Sequence, residues 1–364
     1  MRLLASAGPG EVRVAAADAD GLHDYAIWRP GAPDGVGDVH RGRVTARVPA
    51  LAGAFVALAG GEGFLPDSAG GAEAGEGQIL AVRITRAAQG GKGPRLAAAA
   101  DVEAGRGAPA LLARGPDAVR RLAALHPTAP VLADDAALVA ALRPALGAAR
   151  VSLTGRAFDE ETEAEVAALA EPQCDLPGGL RLGIYPTPAL TALDVDLAAA
   201  AGVRGGKGAV HIEKNRAALP QIARQIRLRN LSGAIVLDLA GLSPRRRAAL
   251  APDLAAALGS DPLRPRFLGF SALGLAEILR PRVHPPLHEL LAGPEAAGLA
   301  ALRHLAREIA VRPGRAPVLA ASPAVVAALQ RDQEAMADLA RRAGRPLMLR
   351  PDPTLVPLGW RIEE

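Results

Sequence analysis

Two apolar runs that each close on aspartate, ALTALDVD at 189–196 and AIVLDL at 234–239, flank a helical stretch, and this unit constrains the fold most. The preceding GLRLGIYP (179–186) predicts a strand that forms a hairpin with ALTALDVD. LPQIARQIRLRNLSG (219–233) predicts a helix opened by Pro220 and stopped near Asn230 to Gly233, before a buried strand in AIVLDLAG. Alternate residues of a strand share a side, so Asp194 and Asp196 point to one face. Asp238 ends the second run, and strand ends in open sheets are where ligand sites collect. Three carboxylates brought together there repel one another unless a cation neutralises them. Oxygen-only ligation by few protein groups is what Mg²⁺ accepts. On spacing alone, each aspartate reads equally as a strand-terminating turn residue.

Composition sets the bounds around this unit. The 364 residues allow a large core and two or three domains. With 42 Lys and Arg against 38 Asp and Glu, the formal charge is +4, so affinity for polyanions has to come from local patches. Lysine occurs only at Lys92, Lys207 and Lys214, and two of these lie in identical GGKG tetrapeptides at 90–93 and 205–208. The single cysteine, Cys174, excludes an internal disulfide and a thiolate zinc cage within one chain. No basic start with an apolar core and no apolar run of about 18 residues is found, which predicts a cytoplasmic protein without a membrane span.

Along the chain, EVRVAAADADGLHDYAIWRP (11–30) alternates as two strands joined near Asp20 and Gly21. From Gly37, DVHRGRVTARV, GAFVAL, EGFLP and GQILAVRITRA, with a last strand near Arg95 to Ala99, predict a small Greek-key barrel of the OB type. Residues 110–150 alternate helical patterns with the apolar runs APVLA and ARVSL. SPRRRAALAPDLAAALG (243–259) predicts one helix with Ser243 as cap, Pro244 at its first position and Gly259 as stop. APVLAA, one helix in SPAVVAALQRDQEAMADLARRAG and two closing strands form a smaller C-terminal α/β unit.

Several other residues can carry chemistry. Phe55 and Phe64 are two of five phenylalanines, with Lys92 on the QGGKG loop; aromatics beside cations on a barrel face stack single-stranded bases, while core packing is the alternative. Arg224 and Arg227, three apart on the helix with Arg229 close behind, can hold phosphates, or can form a solvated face. The RGGKG loop at 204–208 can offer amides and Lys207 to a phosphate, or serve simply as a turn. His284 and His288 in HPPLH are four apart, but the double proline argues against a helical metal pair.

These pieces occur in the order of a known family. GDVHRGRVTARVPALAGAFVALAGGEGFLP resembles the S1-type RNA-binding barrel of the ribonuclease E/G family. LPGGLRLGIYPTPALTALDVDLAAAAGVRGG, IARQIRLRNLSGAIVLDLAGLSP and LGFSALGLAEILRPRV resemble successive blocks of its DNase I-like catalytic domain, and GEVRVAAADADGLHDYAIWRPG resembles its start. The resemblance implies a multidomain α+β chain: an OB-type, S1-like barrel (36–100) inserted in an RNase H-like α/β segment (1–35 and 105–177), a DNase I-like α/β catalytic domain (178–292) and a small C-terminal α/β domain (293–364).

It also implies a function. The activity is that of an endoribonuclease cutting single-stranded RNA, with Mg²⁺, or Mn²⁺ in its place, on aspartates matching Asp194 and Asp238. Asp196, expected as a third metal residue, stands where the family has asparagine, a charge that either tightens metal binding or distorts the site; Phe55, Phe64 and Lys92 match the RNA contacts of the barrel. ALLARGPDAVRRLAAL follows the barrel so closely that the family's 5′-phosphate sensor has no counterpart, which predicts cleavage independent of the RNA 5′ end unless Arg114, Arg120 and Arg121 form another pocket. The Cys-Pro-x-Cys zinc link expected after RPRVHPPLHEL is also missing, so no zinc is expected, and a homodimer, if one forms, would use the small C-terminal domain. Two other readings stay open: a weak or inactive RNA-binding protein, and a ribosome or rRNA maturation factor.

Overall fold

The computed structural model describes residues 1–197, 207–312 and 317–363, with only the backbone of 207–209. By internal contact the chain forms two compact units: one of 34–116 and 171–286, the other of 1–33, 117–170 and 287–364.

The first unit begins with a barrel of β1 (Val39–Val48), β2 (Gly53–Leu58), β3 (Gly61–Pro66), β4 (Ile79–Arg86) and β5 (Arg95–Ala98). Hydrogen bonding runs β1-β2-β3-β5-β4 and returns to β1, a closed five-stranded barrel compatible with an OB-type fold. β1 can belong to both ends of the closure because it bends across the barrel. Its register shifts between Val44 and Ala46, and a Cβ at Gly42 would lie 2.4 Å from Val56. Val44, Ala54, Val56, Leu65, Val82, Ile84 and Leu96 fill the interior. A sixth strand, β6 (Ala110–Ala113), read from the sequence with the following α/β segment, instead pairs with β1.

The same unit continues as a six-stranded sheet: β7 (Gln173–Leu176), β8 (Leu180–Pro186), β9 (Thr191–Leu197), β10 (Gly233–Asp238), β11 (Arg266–Phe270) and β12 (Ala276–Arg280). Its order is β7-β8-β9-β10-β12-β11. Only β9 and β10 run parallel, as the crossover helix α1 (Lys207–Leu228) between them requires. Leu182, Ile184, Leu193, Val195, Ile235 and Leu237 pack against Leu219, Ile222 and Ile226 of α1, which leaves the alternate side chains on the uncovered face.

The expected helix at 219–233 is therefore longer, and Pro220 lies inside it. Its end is as read. Asn230 takes a left-handed φ of 47°, Leu231 N–H donates to Ile226 C=O and Asn230 N–H to Arg227 C=O, the paired bonds of a Schellman cap. The helix expected over 243–259 is two, α2 (Pro244–Ala248) and α3 (Ala251–Leu258), broken ahead of Pro252, which has no N–H to give to the Ala248 carbonyl and whose ring crowds it. Ser243 makes no side-chain cap bond.

Barrel and sheet are joined by the segment after β12. Ala87 N–H donates to Val283 C=O at 2.8 Å, the buried Gln89 amide reaches the carbonyls of Val283 and His284, and His284 Nδ1 pairs with Asp34 at 2.5 Å. Asn230 adds bonds to the carbonyls of His284 and Pro285 at 2.8 and 3.0 Å. Arg280 is buried against Asp261 at 2.6 Å and donates to Asn230 Oδ1.

In the second unit the strands 151–153, 131–133, 2–8, 11–18 and 21–28 form one sheet in that order, the first three parallel and the rest antiparallel. The hairpin expected at 11–30 is present. A smaller sheet orders Met348–Pro351, Val318–Ala321 and Trp360–Glu363. The helix expected across 323–343 divides at Asp332, which ends Pro323–Arg331 and whose carboxylate accepts the Ala335 N–H to start Gln333–Ala343.

Candidate functional site

The parallel pairing of β9 and β10 makes Asp194, midway along β9, and Asp238, the last residue of β10, register partners in the final pair of the ladder. Leu193, Val195 and Leu237 are buried on the helix side, so strand alternation turns both aspartates to the uncovered face. Burial first, then the charges of Asp196 and Asp238, hold the Asp194 carboxyl above the usual carboxylate range. Asp196, two residues outward, is exposed. Among the described residues no three His, Cys, Asp or Glu side chains assemble as a metal cage, so the site is a pair with a third charge nearby.

Other residues hold this pair in place, and the sequence reading missed them. Asn215, buried on α1, donates to Ala240 C=O at 3.0 Å and accepts from Ala240 N–H at 3.2 Å, fixing the chain just past Asp238. Arg247 of α2 donates to the carbonyls of Leu242 and Gly274 at 3.0 and 2.8 Å and lies 2.7 Å from Asp238 Oδ1. That last contact lacks hydrogen-bond alignment and is an ion pair only. Tyr185, half exposed, covers Gly183, the β8 partner of Asp194; a Cβ at Gly183 would meet its ring at 2.7 Å. Only the rarity of tyrosine, two in the chain, offered a signal for this last residue.

The expected basic cluster is distributed differently. Arg224 and Arg227 sit in the last turns of α1, roughly 14 and 18 Å along the helix from Asn215 at 1.5 Å per residue, and so away from the aspartate end. Arg224 reaches Gln221, and Arg227 donates to Ser260 C=O at 3.2 Å. Arg229 is buried, bonded to Gln225 and to Glu171 C=O, and burial lowers its guanidinium; this inward position removes it from the surface on which a phosphate would bind. Lys207 starts α1, but its side chain and residues 204–206 of the RGGKG loop lie outside the described residues. Arg114 pairs with Asp38, and Arg120 with Asp117.

On the barrel, Phe55 of β2 and Phe64 of β3 are direct register partners. Their neighbours Ala54, Val56 and Leu65 take the interior, so both rings stand on the outer face, half-buried and edge to face with centroids 5.5 Å apart. Neither belongs to the barrel core. Lys92 is exposed at the tip of a hairpin closed by mutual backbone bonds with Gln89, both 3.1 Å, which Gly90 and Gly91 permit with φ of 57° and 71°.

The first unit thus combines an open sheet carrying paired carboxylates with an OB-compatible barrel whose outer face carries two half-buried phenylalanines. Residues 149–283, which include both aspartates, match the model described as the Ribonuclease E/G family. Ribonuclease E of Synechocystis is 32% identical over 166 residues, covering 45% of this chain and 23% of that protein. Ribonuclease E and ribonuclease G of Escherichia coli K12 are each 35% identical, over 131 and 135 residues, covering 35% and 37% of this chain and 12% and 27% of those proteins. Through this segment the chain is similar to the ribonuclease E/G family. The matched stretches span about a quarter or less of the relatives' own length.

Proposed function

We propose that this chain is a metal-dependent endoribonuclease that hydrolyses phosphodiester bonds in single-stranded RNA, independently of the RNA 5′ end. The observation that carries the reading is the register pairing of Asp194 with Asp238. Like charges side by side are unfavourable, and a hard divalent cation relieves that repulsion using the carboxylate oxygens already in place. The donor set thus fits Mg²⁺ or Mn²⁺, with Asp194 and Asp238 as ligands and Asp196 supplying field from outside. When bound, the ion supplies a more acidic water and neutralises charge that develops on the phosphate. Asn215 and Arg247 position Asp238, and the exposed Tyr185 ring offers a stacking surface beside Asp194. Phe55, Phe64 and Lys92 would hold the strand on the barrel.

The test is cleavage of an unstructured RNA in Mg²⁺ or Mn²⁺ against EDTA. Metal-dependent internal cuts support the reading, and none at any metal concentration overturns it. One observation favours an RNA-binding protein without turnover: Arg247 already occupies Asp238. Binding without cleavage would select that alternative, and co-sedimentation with ribosomes without turnover would select a ribosome-associated factor. No helix among the described residues is long and apolar enough to cross a membrane.

A further inference from the structure

We infer that Arg86, Arg95 and Arg282 form a phosphate-binding cluster that extends the Phe55–Phe64 face of the barrel toward the six-stranded sheet, holding backbone phosphates of single-stranded RNA. The inference rests on the RNA reading above. Its geometry comes from strand register. Phe55 is the partner of Phe64, Phe64 of Arg95, and Arg95 of Arg86, so one row crosses β2, β3, β5 and β4 as two aromatics followed by two arginines. Neighbouring strands lie about 4.8 Å apart, which makes the row roughly 14 Å long. The register shift between Ile84 and Arg86 brings Arg86 onto the face of Arg95; without that bulge, alternation would turn it the other way. Arg282 arrives from the segment after β12 and packs over Gly233, where a Cβ would lie 2.3 Å from its guanidinium.

No carboxylate among the described residues pairs with any of the three, whereas most arginines near them have an acid or a set of carbonyls: Arg83 pairs with Asp101, Arg47 with Asp67, Arg280 with Asp261. Arg86 gives one bond, to Gly93 C=O at 3.3 Å, and its Nε is buried without a partner. Burial first, then Arg95 and Arg282, lower its guanidinium, the mark of cations gathered without a counter-ion. A phosphate satisfies this arrangement, because guanidinium forks bind its oxygens bidentately. The adjacent half-buried rings on the outer face select a ligand that alternates flat bases with phosphates. Arg282 lies by Gly233, at the opposite end of β10 from Asp238, so the cluster serves the strand at a distance from the aspartates.

The test is anisotropy of a labelled unstructured 12-mer RNA across a salt series, without divalent metal, using the full chain. We compare the wild type with Arg86→Gln/Arg95→Gln, Arg95→Gln, Arg95→Lys and Phe55→Ala/Phe64→Ala. Each phosphate contact contributes about 0.7 to the slope of log affinity against log salt for single strands. The double glutamine variant should therefore lose about 1.4 from the slope and Arg95→Gln about 0.7, with Arg95→Lys near the wild type. Arg95 is exposed, so its single variants carry the test even if the buried part of Arg86 is needed for folding. Unchanged slopes in both glutamine variants, while the phenylalanine variant binds weakly, would overturn this inference and leave the RNA reading standing. A wild type that binds no RNA at low salt would overturn both.

Discussion

Asp194 with Asp238 and Phe55 with Phe64 are both register partners on adjacent strands, yet the two pairs have opposite energetic standing. Edge-to-face phenylalanines attract, by about 0.5–1.5 kcal/mol beyond their area burial. The pair is thus explained by stability alone, and its place on the outer face of the barrel is the hint of another use. Two carboxylates in the same relation repel. Arg247 offsets part of that cost at Asp238, whereas Asp194 is left with its carboxyl above the usual range. A local arrangement that costs free energy is the stronger functional signal, because packing cannot account for it.

The comparison breaks most sharply at Asp238. Asp238→Asn should reduce cleavage at least a thousandfold, about 4 kcal/mol on the transition-state scale, while RNA affinity stays within a few-fold. Retained turnover at saturating Mg²⁺ would remove the metal assignment. On the barrel, Phe64→Ala should weaken binding of single-stranded RNA by about 1–3 kcal/mol if a base stacks there. If titration shows unchanged affinity per folded molecule and calorimetry a lower Tm, the pair acts only in stability.

A smaller effect distinguishes the energetic standing directly. The Asp194 carboxyl is raised in the folded chain, so the native state holds its proton more tightly than the unfolded state. Its stabilising contribution is full below the unfolded value near pH 4 and is lost as pH rises through the folded value. In metal-free buffer, Asp194→Asn should therefore have a higher urea midpoint than the wild type at pH 7 and the same midpoint at pH 3. A difference equal at both pH values would show that repulsion is not its source. The smallest effect concerns RNA ends: 5′-hydroxyl, 5′-monophosphate and circular forms of one RNA should be cut at rates within about twofold, worth about 0.4 kcal/mol. A tenfold monophosphate preference in side-by-side time courses would reveal an end-binding pocket.

Much of the site was legible because strands and caps are local. The alternation in ALTALDVD and AIVLDL located both aspartates on strands, and RNLSG marked the helix end that Asn230 makes. Pro220 was misread because proline at a helix start and proline inside a helix held by tertiary contacts look alike in a sequence. The two divided helices, at Pro252 and Asp332, were missed because helical periodicity continues across a break of one or two residues. Arg229 looked like a surface cation from its spacing, but its surroundings bury it.

By itself the sequence determined the strand segments, the alternation that puts Asp194 and Asp196 on one side, and the helix that must cross between the two aspartate-ending runs. Tertiary structure alone decided that β9 and β10 are neighbours and that their register sets Asp194 beside Asp238. It likewise set Phe64 beside Arg95 and, through a bulge, Arg95 beside Arg86. The physical reason is that alternation and capping are fixed by bonds and hydrogen bonds within a few residues. Strand register is fixed by packing between segments far apart in the chain, and a slip of one residue turns every side chain to the other face.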